Sequence, residues 1–410
     1  MKKIDFICIY VFGRHDYNIK SPVMTTKHNL GQYFTTNNEL KEKVFEFIMN
    51  NPSNILEPSI GQGDLVAFIT DKIPSVTFDM YEIDTTIQML DAVRKDNVIY
   101  GDFIIQPIAK TYKTIIGNPP YVRTKKGNLY IDFIEKCYNL LDENGELVFI
   151  VPSDLFKLTS ASKLLNEMMM NGSFTHIFHP HNEKMFANAS IDIIVFRYYK
   201  NSSIEKKVLY NNKSLFITNS DGLITFGEEQ NNNCVLFKDH FDIYVGLVSG
   251  KEEVYKNEEL GNIEVLNGED KIDKYIYIEK FPCDNELVNK HLLQHKKELI
   301  ERGIRKFNEQ NWFEWGAPRN ITTINKNIGK DCIYIYNLTR KSNVSFSGKV
   351  NHFGGGLIMI KPKQECNLMK IMSYINSDTF KKNFMFSGRF KIGHRSISNS
   401  YIPSECIELS

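Results

Sequence analysis

Apolar residues between positions 40 and 200 fall into two alternating textures. Short β-type runs stand at 54–56, 76–83, 114–116, 147–151, 176–178 and 191–198, and between them 39–49, 87–94, 130–141 and 161–170 repeat apolar residues at helical spacing. Such alternation predicts an α/β fold, a doubly wound and mostly parallel sheet with helices on both faces, whose ligands bind at the carboxyl ends of the strands. After Tyr199 the texture changes. Asn- and Ser-rich turns at 201–203, 211–212 and 231–233 separate short mixed strands, which places a domain boundary between 200 and 240. We expect a first domain over 24–215 and a second, α+β in kind, over 216–410, with one clear helix at 285–302 and a Gly-rich turn at Gly354-Gly355-Gly356.

Composition narrows the class. A chain of 410 residues with 42% hydrophobic and 24% charged residues has room for two cores and lies outside the disordered range. Seven cysteines are scattered without a CxxC pair, so a reducing, intracellular location is expected, cytoplasmic or nucleoid-associated. The apolar run at 4–12 is interrupted by Asp5 and followed by Arg14, His15 and Asp16, which fits neither a signal peptide nor a membrane span. Met24 offers an alternative start, with residues 1–23 an N-terminal extension.

The net charge of +1 hides a segregation: residues 288–400 hold 20 Lys and Arg against 7 Asp and Glu, a net of +13. A basic segment on an otherwise acidic chain is the footprint of a polyanion partner, or the counterpart of an acidic neighbour across an interface. Within it, Lys296-Lys297, Arg302, Arg305-Lys306, Arg319, and Arg389, Lys391 and Arg395 are interleaved with aromatics and glycines, a texture suited to phosphate contact and groove reading. Trp312 and Trp315 read more readily as core than as base-stacking residues.

Candidate chemistry lies in the first domain. Glu57-Pro58-Ser59-Ile60-Gly61-Gln62-Gly63 follows a strand and opens a helix, so Gly61 and Gly63 let backbone approach a ligand, although the third glycine of a dinucleotide fingerprint is missing. Glu82, Ile83 and Asp84 end the next strand, where an acidic side chain takes the hydroxyls of a ribose. Asp102 and Phe103 end a third and offer an acceptor beside an aromatic face. The most specific signal is Asn118-Pro119-Pro120-Tyr121 after 115–117. Two prolines fix the backbone and remove two donors, so the Asn118 amide oxygen and the Pro119 carbonyl point at one incoming amino group, and the Tyr121 ring is a platform for a planar base or amide. The bland reading is a tight turn after a buried strand. His176, His179 and His181 alternate without carboxylate or cysteine partners, so no metal is expected, and 174–180 reads as a sheet edge.

These residues, over about 29–200, resemble the N6-adenine DNA methyltransferases of the gamma arrangement found in type II restriction-modification systems. The resemblance implies an S-adenosylmethionine-dependent methyltransferase fold with a mixed sheet and a C-terminal target-recognition domain. It implies direct methyl transfer to an adenine flipped out of double-stranded DNA, with Asn118, Pro119 and Tyr121 catalytic. Gly31-Gln32-Tyr33-Phe34-Thr35-Thr36 is similar to the motif on the methionine end of the cofactor, and Glu57, Gly61, Gly63, Glu82, Ile83, Asp102, Phe103, Asn118 and Phe133 complete the cofactor set. Phe186, in 184–189, would face Tyr121 across the base; a core phenylalanine before a strand is the plainer reading. Arg319, Arg389, Lys391 and Arg395 would contact DNA, and a cognate restriction endonuclease is the implied partner, with no membrane. Asp64 departs from the family pattern, where a hydrophobic residue is common. Related motifs occur in methyltransferases of RNA bases and protein glutamines, and a non-catalytic DNA-binding scaffold is the alternative outside enzymology.

Overall fold

The computed structural model describes residues 33–124, 127–187 and 189–408; the expected extension 1–23 and the motif residues Gly31, Gln32 and Asn188 lie outside them. The chain divides between Gln230 and Asn231 into two units.

The first unit carries a ten-stranded sheet. Its strands are β1 (Asn54–Glu57), β2 (Thr77–Glu82), β3 (Val98–Tyr100), β4 (Tyr112–Gly117), β5 (Leu141–Pro152), β6 (Gly172–Phe178), β7 (Ile193–Lys200), β8 (Lys207–Tyr210), β9 (Lys213–Ser220) and β10 (Leu223–Gly227). The order is β10-β9-β8-β6-β7-β5-β4-β1-β2-β3. Strands β3, β2, β1, β4 and β5 run parallel, while β7 lies antiparallel between β5 and β6. Alternate residues of the central strands feed two cores, as expected of a sheet covered on both faces. Leu56, Ile115, Leu147 and Phe149 pack with Ile134 and Cys137 of the helix Leu129–Asn139 and with Leu165 of Ser162–Met170. Ile55, Ile116, Val148 and Ile150 pack with Leu40 and Val44 of Asn38–Glu46 and with Leu65 and Ile69 of Asp64–Lys72. This is the doubly wound α/β architecture that the alternating textures predict, with the mixed sheet that the family resemblance implies.

Three expectations fail for physical reasons. Residues 87–94 form no helix: Met89 and Val93 are drawn into a small core with Ile60, Val66, Met80 and Val98, and the Leu90 amide donates to Gln62 O at 2.9 Å. The apolar spacing there reports anchoring of a loop. The 174–180 segment is no sheet edge, because β6 has β7 on one side and β8 on the other. Position 215 falls inside β9, and the first unit runs on to Gln230. The Asn211-Asn212 pair, at φ 46° and 64°, is a two-residue hairpin turn between β8 and β9, a turn separating short strands as its composition predicts.

The second unit is α+β. A four-stranded antiparallel sheet is built from Phe241–Val245, Leu357–Pro362, Asp331–Tyr336 and Ser345–Lys349 in that order, and a three-stranded one joins Leu338–Thr339, Arg389–Lys391 and Met385–Phe386. The helical run at 285–302 divides at His295 into Glu286–Gln294 and Lys296–Ile300, with Asn285 capping the first by accepting from Leu287 N and Val288 N. Trp312 and Trp315 are buried, as their core reading requires, and the Trp315 indole donates to Ile276 O at 2.8 Å.

Candidate active site

The site forms where strand order reverses. β1 lies between β2 and β4, so the loops leaving β1 and β4 open side by side at their carboxyl ends, the usual ligand crevice of such sheets. After β1 the chain turns through Gly61 (φ 59°) and Gly63 (φ 90°) into the helix Asp64–Lys72. A Cβ on Gly63 would lie 2.3 Å from Val93 Cγ2, so both φ and space demand glycine there.

After β4, Asn118 is held at every polar atom of its side chain. Its Nδ2 donates to Tyr33 O at 2.6 Å and to Thr35 Oγ1 at 3.1 Å. Its Oδ1 accepts from the Tyr121 hydroxyl at 2.6 Å, and that hydroxyl lies 3.0 Å from Ile150 O. Burial pushes the Tyr121 phenol well above its ordinary range, so it stays a donor. Pro119 is buried beside them. Tyr33 stacks on Tyr121 with centroids 5.4 Å apart, and Phe186 lies 5.7 Å from Tyr33 and 6.1 Å from Tyr121. Phe186 itself is only 3% exposed and belongs to the core around Ile150 and Val195.

A cavity of about 30 Å³ is lined by Tyr33, Phe34, Thr35, Glu57, Gly61 and Asn118, among others. Glu57 faces it with a carboxylate accepting the Ser59 amide at 3.0 Å. Burial pushes the Glu57 carboxyl up to about 8, opposed by the Ser59 amide and reinforced by the charge of Glu82. Glu82 accepts the amides of Gly61, Ile83 and Asp84, each at 2.9 Å, yet burial still raises its carboxyl above the ordinary value. Asp64, the departure from the family pattern, is also raised by burial.

Farther along the edge, Asp102 caps its own turn by accepting the Ile104 amide at 2.9 Å. Phe103 and Phe133 are buried and stack on each other at 5.4 Å, whereas Ile83 is 54% exposed. Lys136, which sequence reasoning missed, fastens this loop: its ammonium sits 4.6 Å from the centre of the Phe103 ring and donates to the carbonyls of Phe103, Ile104 and Gln106. The available signal was its place one turn beyond Phe133 on the same helix face.

The histidine triplet corrects an expectation. His179 does have a carboxylate partner, with its Nε2 at 2.7 Å from Asp192 Oδ1. Among the described residues no group of three His, Cys, Asp or Glu side chains is arranged to hold a metal.

In the second unit, Arg389 and Lys391 flank the buried Phe390 on the hairpin strand Arg389–Lys391, and Arg395 follows on the short helix His394–Ser398. Lys391 is exposed, with its ammonium 4.5 Å from the Phe386 ring centre, while the Arg389 Nε is buried without a hydrogen-bond partner among the described residues. Arg319 is exposed in a separate loop. Pairing of Leu338–Thr339 with this strand brings the exposed Arg340 and Lys341 next in chain to it, a neighbourhood that sequence distance hides. Arg302 belongs to the interior instead. It donates to the carbonyls of Leu299, Ser249, Trp312 and Glu314, and its guanidinium stacks 3.9 Å from the Phe307 ring centre. Arg305 and Lys296 pair with Glu314 and Glu309.

Known proteins agree with this architecture. Residues 32–186 match the family described as Eco57I restriction-modification methylase. The type II methyltransferase M.HincII of Haemophilus influenzae is 31% identical over 225 residues, spanning 49% of this chain and 43% of that protein. The type II methyltransferase M.MjaIV of Methanocaldococcus jannaschii is 28% identical over 203 residues, 42% of this chain and 67% of that protein. The chain thus matches less than half the length of M.HincII. In fold, the type IIL restriction-modification enzyme MmeI, solved in complex with DNA, superposes over 89% of this chain and 64% of its own with a TM-score of 0.55 at 10% identity. With the reversed strand order, the glycine loop after β1 and the Asn-Pro-Pro-Tyr turn after β4 in one crevice, residues 32–186 of this chain are similar to the restriction-modification methylases of the Eco57I family.

Proposed function

We propose that this chain methylates N6 of an adenine flipped out of duplex DNA, using S-adenosylmethionine. The observation that carries the reading is the Asn118 side chain, held by Tyr33, Thr35 and Tyr121, beside three aromatic rings whose centroids lie within 6.1 Å of one another.

The cofactor's chemistry fits the residues of the crevice. Gly61 and Gly63 leave backbone bare, buried Glu57 suits a cationic group, and Glu82 at a strand end suits a ribose. Tyr33, Thr35 and Asn118 would line its methionine end, and Ile83, Asp102, Phe103 and Phe133 its adenine. Bound there, S-adenosylmethionine supplies an electrophilic methyl group. The protein's part is to present the nucleophile: Asn118 Oδ1 and Pro119 O accept the two amino protons and turn the N6 lone pair outward. Tyr121 has two roles, its hydroxyl orienting Asn118 Oδ1 and its ring stacking the base opposite Phe186. The base must leave the duplex, because the pairing edge that carries N6 is otherwise engaged.

The second unit, with most of the basic segment, is read as the target-recognition domain, and the DNA in the MmeI complex supports that reading by analogy of fold. The test is to incubate the protein with labelled cofactor and duplex DNA, structured RNA or a glutamine-containing peptide, then identify the labelled product. Label on adenine N6 of duplex DNA supports the proposal; label confined to RNA or peptide overturns it.

A further inference from the structure

Beyond the crevice, a buried polar network stands at the ends of β5, β6 and β8 and the start of β7, and none of the roles above uses it. His179 directly follows β6 and Asp192 directly precedes β7; their side chains are 6% and 5% exposed and meet at 2.7 Å. Each has a second support. The Tyr210 hydroxyl, at the end of β8, lies 2.8 Å from His179 Nδ1, and the Ser153 hydroxyl, just past β5, donates to Asp192 Oδ2 at 2.8 Å. Asn211 accepts the His179 amide at 2.7 Å and donates to the His179 carbonyl at 2.8 Å.

The chain between the two partners leaves the sheet and returns, and it carries Phe186. Inside it the Ile191 amide donates to Glu183 O at 2.8 Å, the Ser190 hydroxyl donates to Glu183 Oε2 at 2.8 Å, and Phe186 and Ala189 form a bridge. Neighbouring ladders already hold β6 and β7 together, so the pair is not needed to build the sheet. Its distinctive effect is to join the mouth of the loop. A buried polar pair with satisfied partners admits few alternative geometries, whereas apolar neighbours such as Ile191 and Ile193 would admit many.

We propose that His179 and Asp192 are positioning residues that clasp the loop between them and thereby set the Phe186 ring opposite Tyr121. This rests on the reading of Phe186 as a base-stacking residue. The clasp itself is testable without activity, by hydrogen exchange on the full chain. In Asp192→Asn and His179→Ala, and more mildly in Ser153→Ala and Tyr210→Phe, the amides of 183–187 and Ile191 should exchange about tenfold faster or more, with those of β5 and β7 unchanged. Loop amides as protected as in the parent in all four variants overturn the clasp. Loss of protection throughout the sheet overturns it too, because the pair is then general scaffolding.

The catalytic consequence is read next. On duplex DNA with adenine at the target the variants should lower kcat about tenfold and leave cofactor Kd within about twofold, and on the same duplex with 2-aminopurine in place of that adenine they should alter the emission of the extruded base. Unchanged kcat and emission in variants whose loop has loosened would show that the loop does not position the base. A parent that transfers no methyl group to DNA defeats the functional reading instead and leaves the exchange result standing.

Discussion

The Tyr121 hydroxyl and the Asn118 amide oxygen meet at 2.6 Å, so the tyrosine that offers its ring to a base also orients the acceptor of that base's amino group. The two roles are separable. Tyr121→Phe keeps the ring and removes the donor, and loss of a neutral hydrogen bond of about 0.5–1.5 kcal/mol should lower single-turnover methylation by about two- to thirteenfold. Tyr121→Ala should lose stacking as well, worth about 1–3 kcal/mol more. Equal rates in the two variants, or a Phe variant as fast as the parent, would contradict the double role.

Glu57 gives a pH signature. Its carboxyl is raised from 4.5 to about 8, so on raising the pH the unfolded chain ionises first. The contribution to stability is fully present below about pH 4.5, is lost progressively up to about pH 8 and is flat above. Glu57→Gln should flatten that loss in thermal unfolding. A cationic ligand favours the ionised form, so cofactor affinity should rise with pH towards about 8 and binding below it should release a proton. Calorimetry in two buffers of different ionisation enthalpy reads this directly. No proton release around neutral pH would remove Glu57 from the cofactor site.

The basic segment divides into cations with different work. Lys391 is exposed, and its loss should weaken DNA binding while reducing the slope of log affinity against log salt by about 0.9. Arg302 is buried with four carbonyl acceptors, so Arg302→Ala should destabilise the second unit by about 3 kcal/mol or more. A salt-titrated binding series and a melting curve separate the two. Lys391→Ala with an unaltered salt slope would show that this hairpin does not touch phosphate.

Much of the first unit was legible because strands buried on both faces are written as continuous apolar runs and their ends as chemistry-bearing turns. The Asn118 turn and the Gly61-Gln62-Gly63 loop were readable for that reason. Residues 87–94 misled because Met89 and Val93 have the spacing of a helix while packing against a loop. Asn211-Asn212 was readable as a turn because two residues at positive φ favour asparagine. The pairing of His179 with Asp192, the Lys136 clamp and the pairing of Leu338–Thr339 with the strand Arg389–Lys391 depend on contacts between segments distant in sequence, which no local pattern records. Charge counts likewise did not distinguish Arg302, an interior donor, from Lys391, an exposed one.

Asn118 is the centre of the account, and replacing it is the most direct test. The measurement is methyl transfer to adenine N6 in duplex DNA by the parent and by Asn118→Ala, with cofactor affinity determined on the same samples. The account predicts that the variant loses turnover by about two to three orders of magnitude, the scale on which removal of one preorganised polar group at a reacting centre acts. It predicts cofactor affinity within about tenfold of the parent, a margin of about 1.4 kcal/mol that allows for the Asn118 bonds to Tyr33 and Thr35. Turnover near that of the parent would contradict the account.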